Sequence, residues 1–243
     1  MSTLTDKQLK RYYHSTFLKE IGVKGQETLF NSKVAVVGVG GLASPILLYL
    51  ASMGVGHLTL IDDDKVSLSN LPRQILYKEE DISKPKVECA KALLNKINKD
   101  VDIKIYNKRL DKSNASSLLK GHDIVLDCVD NFETKFLLSD ICKELSLPLV
   151  SAVVRDYQGQ VCTYIPHISK DFKSLFSILP VNIEQKYIDN DQGIFPFSVG
   201  LVGDIAGAEV IKYLLNIGDL LINKLLVVNL LEHRYQIIKF PIE

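Results

Sequence analysis

A glycine-rich turn is the feature of this sequence best suited to binding a phosphate group. The turn contains Gly38, Gly40 and Gly41, and it joins a short β-branched run to an apolar stretch long enough for a helix. The N–H groups at the start of such a helix, and the positive end of its dipole, attract a phosphate. About twenty residues later Asp62 ends a second apolar run, where a carboxylate that binds a ribose is expected. The spacing predicts a nucleotide-binding turn, with Ala43 at the third glycine position of the pattern.

Cationic and acidic side chains that suit a triphosphate follow this turn. Arg73 lies in the long polar loop after the aspartate, and Lys86 begins the next apolar helix. An arginine offers a planar fork and a lysine a compact charge, and both bind phosphates. Asp130 follows a later apolar strand, and a carboxylate beside a triphosphate is what Mg²⁺ requires. We predict Arg73, Lys86 and Asp130 as catalytic residues, although Asp130 and Asn131 are equally suited to capping the helix at 133–145.

These side chains can meet only if the strands that carry them end at one edge of a parallel sheet. Unbroken apolar runs predict buried parallel strands, helical spacing predicts the connecting helices, and the last strands are expected to pair antiparallel. The predicted fold class is α/β: a Rossmann-like, mostly parallel sheet with helices on both faces, plus antiparallel C-terminal strands. Strands are predicted at 34–37, 58–61, 101–106, 123–127, 148–153, 160–165, 225–229 and 235–240. Helices are predicted at 42–53, 87–97, 115–119, 133–145 and 198–215.

The same patterns divide the chain into segments of one domain. An apolar stripe near the start predicts one N-terminal helix, which Gly22 and Gly25 would end. A long stretch with little periodicity precedes the last helix, and such a stretch is typical of a lid or a crossover. The expected segments are an N-terminal helix and connector (1–32), a nucleotide-binding α/β region (33–165), a crossover loop (166–197) and a C-terminal helix and hairpin (198–243).

The composition is that of a globular protein with no strong electric field of its own. Apolar residues make up 47% of the 243-residue chain, and 29 basic residues balance 29 acidic ones. This balance recruits neither nucleic acid nor a membrane surface. No apolar run reaches the roughly 18 residues of a spanning helix, and the four cysteines form no Cys-x-x-Cys pair. We therefore expect a cytoplasmic protein in a reducing compartment, with no nucleic-acid or membrane partner.

Short motifs that contain the candidate residues follow one another along most of the chain. They are Gly-Val-Gly-Gly-Leu-Ala from Gly38, Leu-Ile-Asp-Asp-Asp from Leu60, Leu-Ser-Asn-Leu-Pro-Arg-Gln from Leu68, Lys-Pro-Lys from Lys84 and Leu-Asp-Cys-Val-Asp-Asn from Leu126. In this order and spacing, the sequence resembles the ThiF/MoeB/HesA family, the bacterial relatives of ubiquitin-activating enzymes. The triple aspartate and the Arg-Gln-Ile-Leu after it look more like ThiF than MoeB.

The resemblance implies an enzyme that transfers AMP from ATP to the C-terminal glycine carboxylate of a small ubiquitin-like sulfur carrier, such as ThiS or MoaD. It also implies ATP with Mg²⁺ and a homodimer. Attack by a carboxylate on phosphorus needs positioning and neutralised charge more than acid–base groups. The resemblance implies that Gly41 and Asp62 contact the adenosine. It implies that Asn70, Arg73 and Lys86 contact the phosphates, and that Asp130 contacts the Mg²⁺. The whole implied nucleotide site is Gly38, Gly40, Gly41, Asp62, Asp64, Ser69, Asn70, Leu71, Arg73, Gln74, Lys86, Asp130 and Asn131.

The sequence also departs from the family pattern. Members carry Arg-Tyr-x-Arg-Gln near the start and supply an arginine to the partner subunit's ATP, but His14 stands at that place here, so Arg11 would have to replace it. The zinc-binding Cys-x-x-Cys pairs are missing around 171–175 and at the end, so no zinc site is expected. The family cysteine that handles sulfur falls near Asp189. We expect the chemistry to stop at the acyl-adenylate, with any thiol step performed by another protein.

Other interpretations of the same residues stay open. A nicotinamide-dependent oxidoreductase would use the same glycine turn, but it would not need Arg73, Lys86 and Asp130 around the phosphates. Relatives within the family also activate peptides or a modified tRNA adenosine. A catalytically inactive binding partner is favoured by His14 and by the missing cysteines, and it is opposed by the intact cations and carboxylates.

Overall fold

The computed structural model describes residues 4–169, 172 and 193–240, which include one continuous sheet of eight strands. In chain order the strands are β1 (Lys33–Val37), β2 (His57–Ile61), β3 (Asp102–Tyr106), β4 (Ile124–Asp127), β5 (Leu149–Arg155), β6 (Gln158–Tyr164), β7 (Lys224–Asn229) and β8 (Arg234–Lys239). Their order across the sheet is β3-β2-β1-β4-β5-β6-β7-β8.

The sheet has a parallel part and an antiparallel part. Strands β1 to β5 are parallel, and Val36 is paired with Leu60 on one side and with Leu126 on the other. Strands β6, β7 and β8 continue the sheet by antiparallel pairing. The carboxyl ends of the parallel strands therefore meet at one edge, and the predicted fold class is confirmed.

Helices cover both faces of the inner parallel strands, which explains why β1 and β4 are apolar without alternation. The edge strand β3 does alternate, with Asp102 and Lys104 exposed between buried or half-buried residues. Val34 and Val36 of β1 pack in one core with α4, α5 and α8, whereas Ala35 and Val37 pack in the other core with α6 and α7. The α-helices of the described residues are α1 (Asp6–Arg11), α2 (Tyr13–Thr16), α3 (Gly22–Asn31), α4 (Ala43–Ser52), α5 (Lys86–Ile97), α6 (Ala115–Leu119), α7 (Phe132–Leu145) and α8 (Pro196–Leu215).

The N-terminal segment differs from its prediction. The expected single helix is divided into α1, α2 and α3, and the glycines that were expected to end it belong to α3. Gly22 begins that helix with a φ of 59°. A Cβ on Gly25 would lie 3.2 Å from Ile21 Cγ2 and 3.4 Å from Leu215 Cδ2. Gly25 therefore lets α3 approach α8 closely, so its role here is packing and not helix termination.

The β5–β6 hairpin is tighter than predicted. The predicted strands end at 153 and resume at 160, but β5 extends to Arg155 and β6 begins at Gln158. Asp156 adopts a left-handed conformation with a φ of 49°, which the short turn requires. Most of the expected crossover loop, including Asp189, lies outside the described residues. Among the helices that the structure describes, none has both the length and the apolar character needed to cross a bilayer.

Candidate active site

A cavity of about 400 Å³ opens at the carboxyl edge of the parallel strands. The glycine turn after β1, the loops after β2, β3 and β4, and the first turn of α8 form its walls. Most of the predicted site residues face this one space. They are Gly38, Gly40, Gly41, Asp62, Asp64, Arg73, Gln74, Lys86, Asp130 and Asn131.

Two glycines of the turn leave no room for a side chain. Gly38 has a φ of 84°, and a Cβ there would lie 2.8 Å from the carbonyl oxygen of Cys128. A Cβ on Gly41 would lie 2.9 Å from Val199 Cγ1 in α8. Within the described residues, the backbone N–H groups of Gly40 and Gly41 have no acceptor. The turn therefore presents bare donors to the cavity, as a phosphate-binding turn does.

Asp62 is held in place by the backbone on both sides. Its Oδ2 accepts a hydrogen bond from the Val39 N–H at 2.6 Å, and its Oδ1 accepts one from the Asp64 N–H at 2.7 Å. Burial raises the pKa of Asp62, although both N–H bonds and the nearby charge of Lys86 oppose the rise. The carboxylate is therefore fixed in direction and keeps lone pairs for further donors.

Lys86 is the first residue of α5, and its side chain points into the cavity wall. The residue is 5% exposed, and its Nζ lies 2.8 Å from Oδ2 of Asp64. Oxygens of Asp62, Asp63 and Asp64 lie within 4.8 Å of one another, so the ammonium offsets their mutual repulsion. The Lys86 ammonium therefore reaches the cavity already paired with the Asp64 carboxylate.

The turn at residues 67–70 orients the guanidinium group of Arg73. Arg73 Nη1 donates to the carbonyl oxygen of Ser69 at 2.9 Å, and the Arg73 N–H donates to the carbonyl of Asn70. Asn70 Oδ1 in turn accepts from the Ser67 N–H at 3.3 Å. Ser69, Asn70 and Leu71 were predicted to touch the nucleotide, but they do not line the cavity. In this structure they build the turn that carries Arg73.

Asp130 and Asn131 divide the two roles predicted for them. Asn131 Oδ1 accepts from the Thr134 N–H at 2.9 Å and caps α7. Asp130 is exposed on the cavity wall, and its carboxylate has no hydrogen bond or ion pair in the described part of the chain. Asp127, the other acid near the end of β4, is fully buried and paired with Lys135. Only Asp130 of these two acids is available to a ligand.

The structure adds residues that the sequence reasoning missed. Lys108 and Arg109, in the loop after β3, bring two more cations to the cavity. Their position just beyond a strand at the ligand edge is the signal that was available. Gln74, by contrast, was predicted; it is 4% exposed, and its Oε1 has no hydrogen-bond partner among the described residues. An unpaired buried acceptor on a cavity wall is suited to a donor on a ligand.

The cysteines take no part in this arrangement as nucleophiles. Cys89, Cys128, Cys142 and Cys162 are all buried and free. Burial raises the pKa of each thiol, and that of Cys162 reaches about 12. Thiolate chemistry at these positions is therefore disfavoured near neutral pH.

The parallel sheet, the bare glycine turn and the converging cations define a Rossmann-like nucleotide-binding enzyme. The profile of the ThiF family matches residues 12–242, and the chain belongs to this family. The family resemblance inferred from the motifs is thereby confirmed. The protein is an adenylyltransferase, an enzyme that takes its adenylyl group from ATP.

Two relatives agree with this assignment, and a solved structure has the same fold. The molybdopterin-synthase adenylyltransferase of Haemophilus influenzae is 37% identical over 243 residues, which cover 99% of this chain and 98% of the relative. The SAMP-activating enzyme E1 of Haloferax volcanii is 36% identical over 235 residues, covering 96% and 86%. The structure of Escherichia coli MccB with ATP has the same fold, with a TM-score of 0.83 at 21% identity over 99% of this chain and 81% of that one.

Proposed function

We propose that this adenylyltransferase activates the C-terminal glycine carboxylate of a small ubiquitin-like sulfur carrier as an acyl-adenylate, with release of pyrophosphate. The relative from Haemophilus influenzae favours a MoaD-like carrier and the molybdopterin pathway. The motif likeness to ThiF favours a ThiS-like carrier and the thiazole pathway of thiamine synthesis. The observation that carries the proposal is the convergence of the glycine turn, Asp62, Arg73, Lys86 and Asp130 on one cavity.

The adenosine side of the cavity is formed by the glycine turn and Asp62. A Cβ at Gly38 or Gly41 would meet Cys128 or Val199, so only glycine lets the turn follow the path that brings its backbone to the cavity. Asp62 would accept from the ribose hydroxyls with the lone pairs that Val39 and Asp64 leave free. The unpaired Oε1 of Gln74 fits a donor on the same ligand.

The phosphate side is formed by cations from separate elements. Arg73 and Lys86 would hold the phosphates, and Lys108 and Arg109 add charge to the same wall. Asp130 offers a free carboxylate oxygen, which suits the Mg²⁺ that accompanies ATP. When bound, the ion neutralises charge on the phosphate oxygens. The carrier carboxylate is itself the nucleophile, so these residues need only position and stabilise the reacting groups.

An exposed aromatic rim beside the cavity supports a protein substrate. The rim consists of Tyr157, Phe195 and Phe197, with ring centroids 5.1 Å apart for the first pair and 5.4 Å for the second. Tyr157 is 42% exposed and Phe197 is 73% exposed. Ile194, which lines the cavity, immediately precedes this rim. Exposed aromatic groups of this kind are typical of surfaces that bind another protein.

The proposal includes a homodimer, as the family pattern implies. In that pattern each subunit supplies an arginine to its partner's ATP, and neither Arg11 nor His14 is placed as a direct substitute for it. Arg11 Nη1 donates to the carbonyl oxygen of Ile97 at 3.2 Å, at the end of α5 of its own chain. His14 is exposed and its ring contacts Tyr13 edge to face. We therefore assign the cationic part of the site to Arg73, Lys86 and their neighbours on the same chain.

Carrier-dependent ATP–pyrophosphate exchange tests the proposal. The wild-type protein is assayed with Mg²⁺ and with a ThiS-like or a MoaD-like carrier in turn. Exchange is expected with one carrier, and Lys86→Ala and Asp130→Ala are each expected to lower it about 100-fold or more. Lys84→Ala, which changes an exposed lysine two residues away, should leave exchange unchanged.

The result also identifies the pathway. Exchange with one carrier alone assigns the thiamine or the molybdopterin route. ATP binding without exchange for either carrier would contradict the proposal and would direct the search to peptide or tRNA substrates. Unchanged exchange in Lys86→Ala would contradict the roles assigned within the cavity.

A further inference from the structure

A buried ion pair lies behind the loop that carries Asp130. Lys135 of α7 is 2% exposed and Asp127 at the end of β4 is 0% exposed, and Lys135 Nζ lies 2.9 Å from Asp127 Oδ2. Removing both charges from water is costly, so a buried pair adds little net stability compared with apolar residues of similar size. Its presence at this place therefore needs an explanation other than stability.

The pair joins three elements of the sheet and its helical layer. Lys135 Nζ also donates to the carbonyl oxygen of Ala152 at 3.0 Å, and Ser151 Oγ donates to Asp127 Oδ2 at 2.6 Å. Ser151 and Ala152 belong to β5, the neighbour of β4. One lysine thus fixes the first turn of α7 against both strands. Although Lys135 reaches the cavity wall, its ammonium is already bound to these protein oxygens.

The second oxygen of Asp127 holds the loop itself. Asp127 Oδ1 accepts from the Val129 N–H at 3.1 Å, one residue before Asp130. On the other side of the loop, the Cys128 carbonyl packs against Gly38 of the nucleotide turn. The Lys135 N–H also donates to the carbonyl of Asn131, the cap residue that follows Asp130. The backbone on both sides of Asp130 is therefore connected to the same ion pair.

We propose that Lys135 is a positioning residue for the metal-binding carboxylate. By holding the Asp127 carboxylate in one orientation, Lys135 fixes the loop at residues 128–130 and directs Asp130 into the cavity. The inference rests on the proposed function, in which Asp130 binds the Mg²⁺ of ATP. Lys135 itself touches neither ATP nor the metal.

The affinity for the metal in the presence of ATP tests this inference. Mn²⁺ replaces Mg²⁺, and the free ion is measured by electron paramagnetic resonance with the protein in excess over ATP, so that nearly all of the nucleotide is protein-bound, and with no carrier present. Lys135→Met is expected to weaken Mn²⁺ binding about tenfold, and ATP binding without metal should be unchanged. Lys135→Arg, which keeps a cation, should restore most of the affinity. Lys143→Met, an exposed lysine on the same helix, is the matched control.

A second variant keeps the test decisive if Lys135→Met does not fold. Ser151→Ala removes one hydrogen bond to Asp127 and retains the ion pair, so a smaller loss of about threefold is expected. Wild-type Mn²⁺ affinity in a folded Lys135→Met protein, or in Ser151→Ala if the former is unfolded, would overturn the inference. Because the measurement needs no carrier, absent pyrophosphate exchange would reject the proposed function and leave this result interpretable.

Discussion

Two acids near the end of β4 differ in their availability to a ligand because their surroundings differ. Asp127 and Asp130 are three residues apart, and both follow the apolar part of β4 in the sequence. The first is buried with Lys135 and Ser151 as partners, and the second faces the cavity alone among the described residues. A ligand can recruit only the second carboxylate without breaking a buried ion pair.

Gly38 is the residue at which the shape of the turn can be tested most directly. Gly38→Ala is expected to destabilise the protein and to abolish ATP binding, because the new Cβ would be strained at a φ of 84° and would meet Cys128. Gly121 is a matched control, since its φ is 85° and a Cβ there meets nothing within 4 Å. Gly121→Ala should cost about 1–2 kcal/mol through backbone strain alone.

Thermal unfolding and ATP titration of both variants measure the difference. For a chain of this size each 1 kcal/mol lowers Tm by about 2–4 °C. Equal Tm losses in the two variants, with ATP binding intact in Gly38→Ala, would show that the contact with Cys128 affects neither stability nor ATP binding.

At the scale of elements, His122 connects the end of α6 to the sheet. Its Nδ1 lies 2.8 Å from the Leu119 carbonyl oxygen and its Nε2 lies 2.8 Å from Thr59 Oγ1 in β2. A carbonyl can only accept, so the neutral ring carries its proton on Nδ1 and accepts at Nε2 from the hydroxyl. Burial lowers the pKa of His122, and the charges of Lys104 and Lys33 add to that effect. The hydrogen bond to Leu119 and the charge of Asp123 oppose it.

The lowered pKa predicts a loss of stability in mild acid. The unfolded chain binds a proton at His122 near pH 6.5 while the folded chain does not, so the free energy of unfolding falls as the pH drops through that value. His122→Gln should show a smaller decrease between pH 7.5 and 5.5 in urea unfolding. His233→Gln, at an exposed histidine, should keep the wild-type slope. Parallel slopes for wild type and His122→Gln would refute the prediction.

Sequence patterns were reliable where one physical effect dominated. The apolar run at 34–37 predicted β1 to within one residue, and Lys86 begins α5 as expected because the apolar spacing starts there. The N-terminal helix was wrong because a glycine can end a helix or permit close packing, and only the neighbours of Gly25 decide between them. Arg109 was missed because one sequence does not separate a cation at a ligand edge from a solvated one.

At the scale of the whole molecule, the aromatic rim predicts where a protein substrate is recognised. Phe197→Ser removes a ring that is 73% exposed and contacts Phe195. Burying such a ring against a partner contributes about 1.5–3 kcal/mol, so the KM for the carrier should rise about tenfold or more. The affinity for ATP should not change, because Phe197 does not line the cavity. Exchange kinetics at varied carrier concentration measure the effect, and an unchanged KM would exclude Phe197 from recognition.

The polar and the apolar side chains of the cavity wall come from different parts of the chain. Among the described residues, every charged or polar side chain that lines it comes from positions up to Lys135, while β5 and the segment from 193 onward add only Val153, Val154, Ile194 and Val199. Substitutions of these apolar residues therefore leave every charged and polar side chain of the cavity wall in the sequence. Such a separation would let the group that receives AMP change while the residues proposed to hold ATP stay the same.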